Sequence, residues 1–199
     1  MWKSHHSFCD GVSIMCMSLA MSVTYDRSYF VGSADIPLYQ QILLKLMVPF
    51  YIPLSIWKNV LFRRDKNFIT AKKREFSGQM NAITSSQFNF QDIKLLSKQL
   101  GYTINDVVTT SITTSMNQLF KENEEAAKQF TLVMPANIRF KFYETRESLR
   151  LENIFTAIPV RLPMTENMID GYTPVRKIMN TLKGKLPEIY TNYVMSLFF

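Results

Sequence analysis

Both histidines of the chain stand side by side, in the string Lys3-Ser4-His5-His6-Ser7-Phe8-Cys9-Asp10-Gly11. A run of small and apolar residues follows at once, over residues 12–20. This pattern admits few local folds. The histidine segment reads as extended, and side chains alternate across an extended segment, so His5 and His6 are expected to face opposite ways. One ring then faces a cavity while the other packs or orients its neighbour. Gly11 lets the backbone turn tightly, and residues 12–22 read as a helix apolar almost all round, hence buried. The expectation is strand, turn and helix, with a histidine at the turn.

An imidazole can take a proton from a hydroxyl or thiol near neutral pH and return it. It needs a fixed tautomer and direction, and a nearby carboxylate often supplies both, directly or by tying down the loop through an arginine. Asp10 is placed for that. The bland reading is that His5 and His6 are ordinary surface or core residues; the Asp-Gly at fixed spacing weighs against it. A zinc site lacks support, because His5, His6, Cys9, Cys16 and Asp10 follow no zinc-ligand spacing. Nothing in the sequence marks Cys9 as an activated nucleophile. Met15, Met17 and Met21 suit core packing, or the lining of an acyl channel.

Among 199 residues there are only two cysteines, which excludes a disulfide scaffold and fits a reducing compartment. The net charge of +7 suits nucleic acid, an anionic membrane surface or an acidic ligand. No nucleic-acid motif accompanies it, so nucleic acid is not an expected partner. The polar first residues do not read as a signal peptide.

Residues 25–35 form a polar connection, and residues 36–62 are the most apolar part of the chain. Their uninterrupted centre is 12 residues between Lys45 and Lys58, whereas a spanning helix needs about 20. Pro49 and Pro53 are expected to break the helix. The cations Arg63, Arg64, Lys66, Lys72, Lys73 and Arg74 come next. Two readings stay open: a surface-lying membrane anchor with a basic flank, or a buried crossover between half-domains. The same cations suit coenzyme A phosphates. Residues 79–88 alternate like a strand. Residues 90–100 read as a helix stopped by Gly101, and Thr103 caps a second that runs to about Asn123. Strands are expected over 130–139 and 153–163, with a charged loop at 141–152 between them. Thr173-Pro174 reads as the start of a further helix reaching about Lys185, and Pro187 begins another.

The string His5-His6-Ser7-Phe8-Cys9-Asp10-Gly11 resembles the HHxxxDG signature of acyl-CoA-dependent acyltransferases of the chloramphenicol acetyltransferase-like fold. Three later landmarks resemble, in order, those of the wax ester synthase / diacylglycerol acyltransferase family. Thr103-Ile104-Asn105-Asp106 resembles a Pro-Leu-Asn-Asp motif, with Asn105 and Asp106 matching. Residues 130–139 resemble a Val-Pro-Val-Ser-Val-Arg strand, and residues 153–163 a Gly-Asn-…-Leu-Pro segment in which Glu152 replaces the glycine. The resemblance implies an α/β protein (an α+β two-layer sandwich) of incomplete chloramphenicol acetyltransferase-like half-domains. Residues 1–35 would end the N-terminal half-domain, 36–75 would be the apolar and basic crossover or membrane-contacting segment, and 76–199 would be part of the C-terminal half-domain. The motif opens the chain and Ser196-Leu197-Phe198-Phe199 closes it without a polar tail, so the chain is expected to be a fragment.

The implied activity is transfer of a fatty acyl group from acyl-CoA to a long-chain alcohol or diacylglycerol, giving wax ester or triacylglycerol. The resemblance makes His6 the general base, His5 its support, and Asp10 the residue that holds the loop, with Arg139 as candidate partner. Gly11, Asn105 and Asp106 are motif support, Asn105 toward the oxyanion and Asp106 as a capping acid. Acyl-CoA enters as substrate; no cofactor and no metal is implied. A membrane-associated location on the cytoplasmic face, at endoplasmic reticulum or lipid droplet, goes with it. Two other readings remain: an inactive membrane-associated or interaction protein of the same fold, and another HHxxxDG transferase such as a condensation domain.

Overall fold

Among the described residues four helices precede one pair of strands and two helices follow it. The computed structural model describes residues 5–23, 36–61, 65–70, 77–80, 82–84, 86–141, 143 and 145–198, and the backbone alone at 59–61. The elements are α1 (Gly11–Met21), α2 (Leu38–Leu61), α3 (Phe90–Leu100), α4 (Ile104–Glu122), β1 (Gln129–Asn137), β2 (Phe155–Pro163), α5 (Met168–Lys183) and α6 (Leu186–Ser196). Helix and strand are therefore mixed, and β1 and β2 pair as a two-stranded antiparallel sheet. Bonds from Ile138 N–H to Ile154 C=O (3.3 Å) and from Met164 N–H to Lys128 C=O (2.9 Å) extend the pairing beyond both ends. Pro135 and Pro159 are tolerated because each strand of a lone pair keeps one unpaired edge, where a missing N–H costs nothing.

The chain divides into two compact units. The first comprises Met1–Phe62, Val133–Ile158 and Lys185–Phe199. In it α1 is covered only along Ser13 and Cys16, with Met15 and Met17 half-buried and Met21 exposed. The expectation of a fully buried helix is thus corrected: apolar residues encircle α1, but its unit packs one side. Helix α2 lies on α6 through Leu44, Val48 and Tyr190, joined by Phe140 and Tyr193. Inside this interface the Ser55 hydroxyl donates to Asn192 Oδ1 at 2.8 Å. Near its end Lys58 and Glu188 form an ion pair, also at 2.8 Å.

The break expected at Pro49 and Pro53 does not occur: α2 runs through both. Each proline leaves one carbonyl without its donor, that of Lys45 and that of Pro49. Both prolines sit four apart on the exposed side, where water can reach the freed carbonyls, while the opposite side is held by α6. Among the described residues no helix is long and apolar enough to cross a membrane.

The second unit comprises Arg63–Leu132 and Pro159–Gly184. Asn89 caps α3, and Gly101 ends it in the left-handed conformation at φ 69°, a position that favours glycine. Thr103 and Asp106 form a reciprocal capping box at the head of α4. The buried threonines of α4, Thr109, Thr110 and Thr113, make a face of small side chains. Gly171 of α5 sits close to that face: a Cβ there would lie 2.7 Å from Thr110 Cγ2 and 2.8 Å from Thr165 Oγ1. Gly171→Ala is therefore expected to destabilise the protein by about 1–3 kcal/mol, because buried β-branched neighbours cannot swing away. Chemical denaturation of the purified variant measures this; an unchanged midpoint would refute so close a contact.

Two larger departures from expectation remain, one boundary and one element. Helix α5 begins at Met168 under an Asn167 cap, with Asp170 N–H donating to Asn167 Oδ1 at 2.9 Å, and Pro174 lies within it. The described part of residues 79–88 forms no strand; Met80, Ile83 and Phe88 are exposed and no neighbour pairs with them. The polar connection at 25–35 and the cations Arg63, Arg64, Lys72, Lys73 and Arg74 lie outside the described residues.

Candidate functional site

The first unit brings together His5, His6, Asp10, Gly11 and Arg139. Asn105 and Asp106 belong to the second unit.

The histidines lie in a turn, not on a strand: Phe8 N–H donates to His5 C=O at 3.0 Å. Alternation along a strand therefore does not separate the two rings; their contacts do. Ser7 N–H donates to His5 Nδ1 at 3.2 Å, and the Ser7 hydroxyl lies 2.7 Å from the same nitrogen. A backbone N–H can only donate, so Nδ1 of His5 is the acceptor and the neutral ring carries its proton on Nε2. His6 is exposed, and its ring tilts against Phe155 with centroids 5.6 Å apart. Its ring nitrogens have no partner among the described residues. His5 is thus tied into the turn, while both ring nitrogens of His6 are unbonded among the described residues.

Residues 150–154 hold this turn from outside. The side-chain amide of Asn153 donates to both His6 C=O and Ser7 C=O, each at 2.9 Å. Two carbonyls facing one amide fix its orientation, since only the NH₂ end can serve them. Asn153 Oδ1 is buried with no partner among the described residues. Asp10 N–H donates to Glu152 C=O at 3.2 Å, and Ile154 N–H donates to Asp10 Oδ2 at 2.9 Å.

Asp10 caps α1 by accepting from Ser13 N–H at 3.0 Å. It is also paired with Arg139 in both directions, Nη1 to Oδ2 at 2.8 Å and Nη2 to Oδ1 at 2.9 Å. Both side chains are buried. Arg139 further donates to Ser13 Oγ (2.8 Å) and Glu152 C=O (3.0 Å), and its guanidinium lies 5.9 Å from the Tyr143 ring centre. Burial pushes the Asp10 carboxyl upward, but the bonds from Arg139, Ser13 and Ile154 outweigh it and hold the group below its ordinary value. Burial likewise pushes Arg139 down, and its bonding to Asp10 and to Tyr143 outweighs that, leaving it above its ordinary value. Asp10 is a fixed anion with its lone pairs occupied. It holds the loop through Arg139 and is not aimed at His6.

Gly11 does not play the part expected of it. It is the first residue of α1, its φ is not positive, and a Cβ there would meet nothing within 4 Å. The turn is made upstream instead, by the bonds across His5, Ser7 and Phe8. Cys9 and Cys16 are free thiols, both buried, and burial pushes the Cys16 thiol up. Among the described residues no group of histidine, cysteine, aspartate or glutamate could hold a metal ion.

In the second unit, Asp106 Oδ2 accepts from Thr103 N–H at 2.9 Å. Its Oδ1 is buried and has no partner among the described residues, and Asn105 is exposed. Asp106 is thus the capping acid it was expected to be.

Two site residues escape a reading of the sequence. Ser13 is fully buried; its hydroxyl accepts from Arg139 and donates to Glu152 C=O at 3.0 Å. Its only signal is a polar residue three places after the capping aspartate. Asn153 has a weaker one, a side-chain amide just ahead of a strand. No protein-family model and no curated protein sequence matches the chain.

Proposed function

We propose that the chain is an O-acyltransferase of the wax ester synthase / diacylglycerol acyltransferase type, built on chloramphenicol acetyltransferase-like half-domains, with His6 as general base. The observation that carries this reading is a division of labour. One imidazole stands exposed, its ring nitrogens unbonded among the described residues, on a turn that Asn153 clamps and that the buried Asp10–Arg139 pair anchors. A general base needs this combination of fixed backbone and unoccupied nitrogen.

In the proposed reaction His6 takes the proton of the acceptor hydroxyl. The oxygen attacks the thioester carbonyl carbon of acyl-CoA and forms a C–O bond. The tetrahedral intermediate then collapses, the C–S bond breaks, and the imidazolium returns its proton to the departing coenzyme A thiolate. Ester and thiol are the products, and no acyl-enzyme is needed. His5 acts by shaping the turn, and Asp10 by anchoring it; neither exchanges a proton with substrate.

The test is to incubate the purified chain with long-chain acyl-CoA and either a long-chain alcohol or diacylglycerol, following ester and free thiol together. Equal yields of both support the reading. A folded protein that gives ester with neither acceptor overturns it. Within an active protein, Asn153→Ala is expected to lower kcat by roughly 10- to 100-fold with little change in KM, because the base loses its position and the substrate contacts remain. Unchanged kcat would mean the amide clamp does not position His6.

A further inference from the structure

Helix α2 has two apolar sides, and among the described residues only one is packed against a neighbour. Leu44, Val48 and Ser55 point to α6. Away from them, Tyr39, Leu43, Leu46, Phe50, Leu54 and Trp57 recur every three or four residues and are all exposed, Phe50 at 81%. A stripe this long on one helix marks a binding surface rather than scattered surface residues.

Charge decides what covers it. There is no aspartate or glutamate from residue 36 to residue 61. Lys58 is neutralised by Glu188, but Lys45 is exposed and has no ion pair among the described residues. The sequence continues with Arg63 and Arg64, and the chain as a whole carries +7. A second copy docked on the same face would bring identical cationic helices together with no acid on either to offset them. An anionic lipid surface offers apolar depth and opposite charge at once. Tyr39 and Trp57 add exposed amphipathic rings to the stripe, a residue type suited to the headgroup boundary at which an in-plane helix lies. No described helix can cross the bilayer, so α2 would lie in its plane.

We infer that the outward face of α2 is an interfacial helix that seats the protein on anionic lipid bilayers. This holds whether or not the chain transfers acyl groups. The test uses the full chain and vesicles of phosphatidylcholine with and without phosphatidylserine. Binding is expected to be about tenfold tighter to the anionic vesicles and to weaken with salt. In a Trp2→Phe background, Trp57 emission should shift to the blue on binding. The double variant Leu46→Glu, Phe50→Glu should lose at least about tenfold in affinity with unchanged circular dichroism, since both side chains are exposed. Should that variant misfold, Lys45→Glu replaces it and should erase the preference for anionic vesicles. Absence of vesicle binding overturns the inference. So does vesicle binding indifferent to these substitutions, or a dimer in sedimentation that the double variant disperses while vesicles stay unbound.

Discussion

His6→Ala is expected to lower kcat for acyl transfer by about 10²- to 10⁴-fold while leaving the fold intact. The magnitude is that of a general base removed from a reaction that still binds its substrates. The structural side is equally specific. His6 is exposed, its ring nitrogens carry no bond among the described residues, and the clamp on its turn grips backbone carbonyls, which alanine retains. Among the described residues, only the ring contact with Phe155 is lost. Ester formation and circular dichroism on the same preparation read both halves of the prediction. Retained activity would remove His6 from the reaction, and lost structure would mean the turn depends on its ring.

Arg139→Ala should be the most damaging single change to stability, costing about 3–5 kcal/mol. It strips the Asp10 carboxylate of two charge-assisted bonds and leaves that charge buried. Replacing both partners together with apolar residues of similar volume should cost less, since no buried charge then remains. The pH dependence separates this from a simple loss of packing. In the native protein Asp10 is held below its ordinary value, so its contribution is fully present above the unfolded carboxylate value of about 3.9 and is lost as pH falls through the lower folded value. In Arg139→Ala burial is no longer outweighed by the arginine. The penalty of the substitution should therefore shrink as acid protonates Asp10. Denaturation midpoints of both proteins across the acid range check this; parallel curves would show that Asp10 is not the group responsible.

The sequence made some parts of this protein plain and hid others for identifiable reasons. Helices α3 and α4 are legible because their ends carry local chemistry: Gly101 and the Thr103–Asp106 box act within one turn of chain. The start of α5 was misplaced because Thr173-Pro174 imitates an opening signal, while the true one, Asn167 with Asp170, has the same form six residues earlier. The prolines of α2 misled in the opposite direction. A rule about one hydrogen bond lost to a contact surface spread over several turns. Residues 79–88 alternate, but alternation makes a strand only where a partner stands beside it.

The site divides in the same way. His5, His6 and Asp10 could be read from one short string. The pairing of Asp10 with Arg139 spans 129 residues, and no local pattern specifies it; it was expected only through resemblance to a family motif. Ser13 and Asn153 act through bonds to segments 139 and 147 residues away, contacts that composition and periodicity do not carry.

Together with the Lys58–Glu188 ion pair near the end of the interface, the hydroxyl–amide bond between Ser55 and Asn192 sets the register of two helices that otherwise meet through apolar and aromatic side chains. Leucines and valines tolerate sliding, because one apolar contact replaces another. A donor and its acceptor do not: a shift of one turn, about 5.4 Å, would leave the buried Ser55 hydroxyl without its partner. Substituting both by apolar residues could leave the helices just as firmly attached, yet free to stop at more than one position along each other.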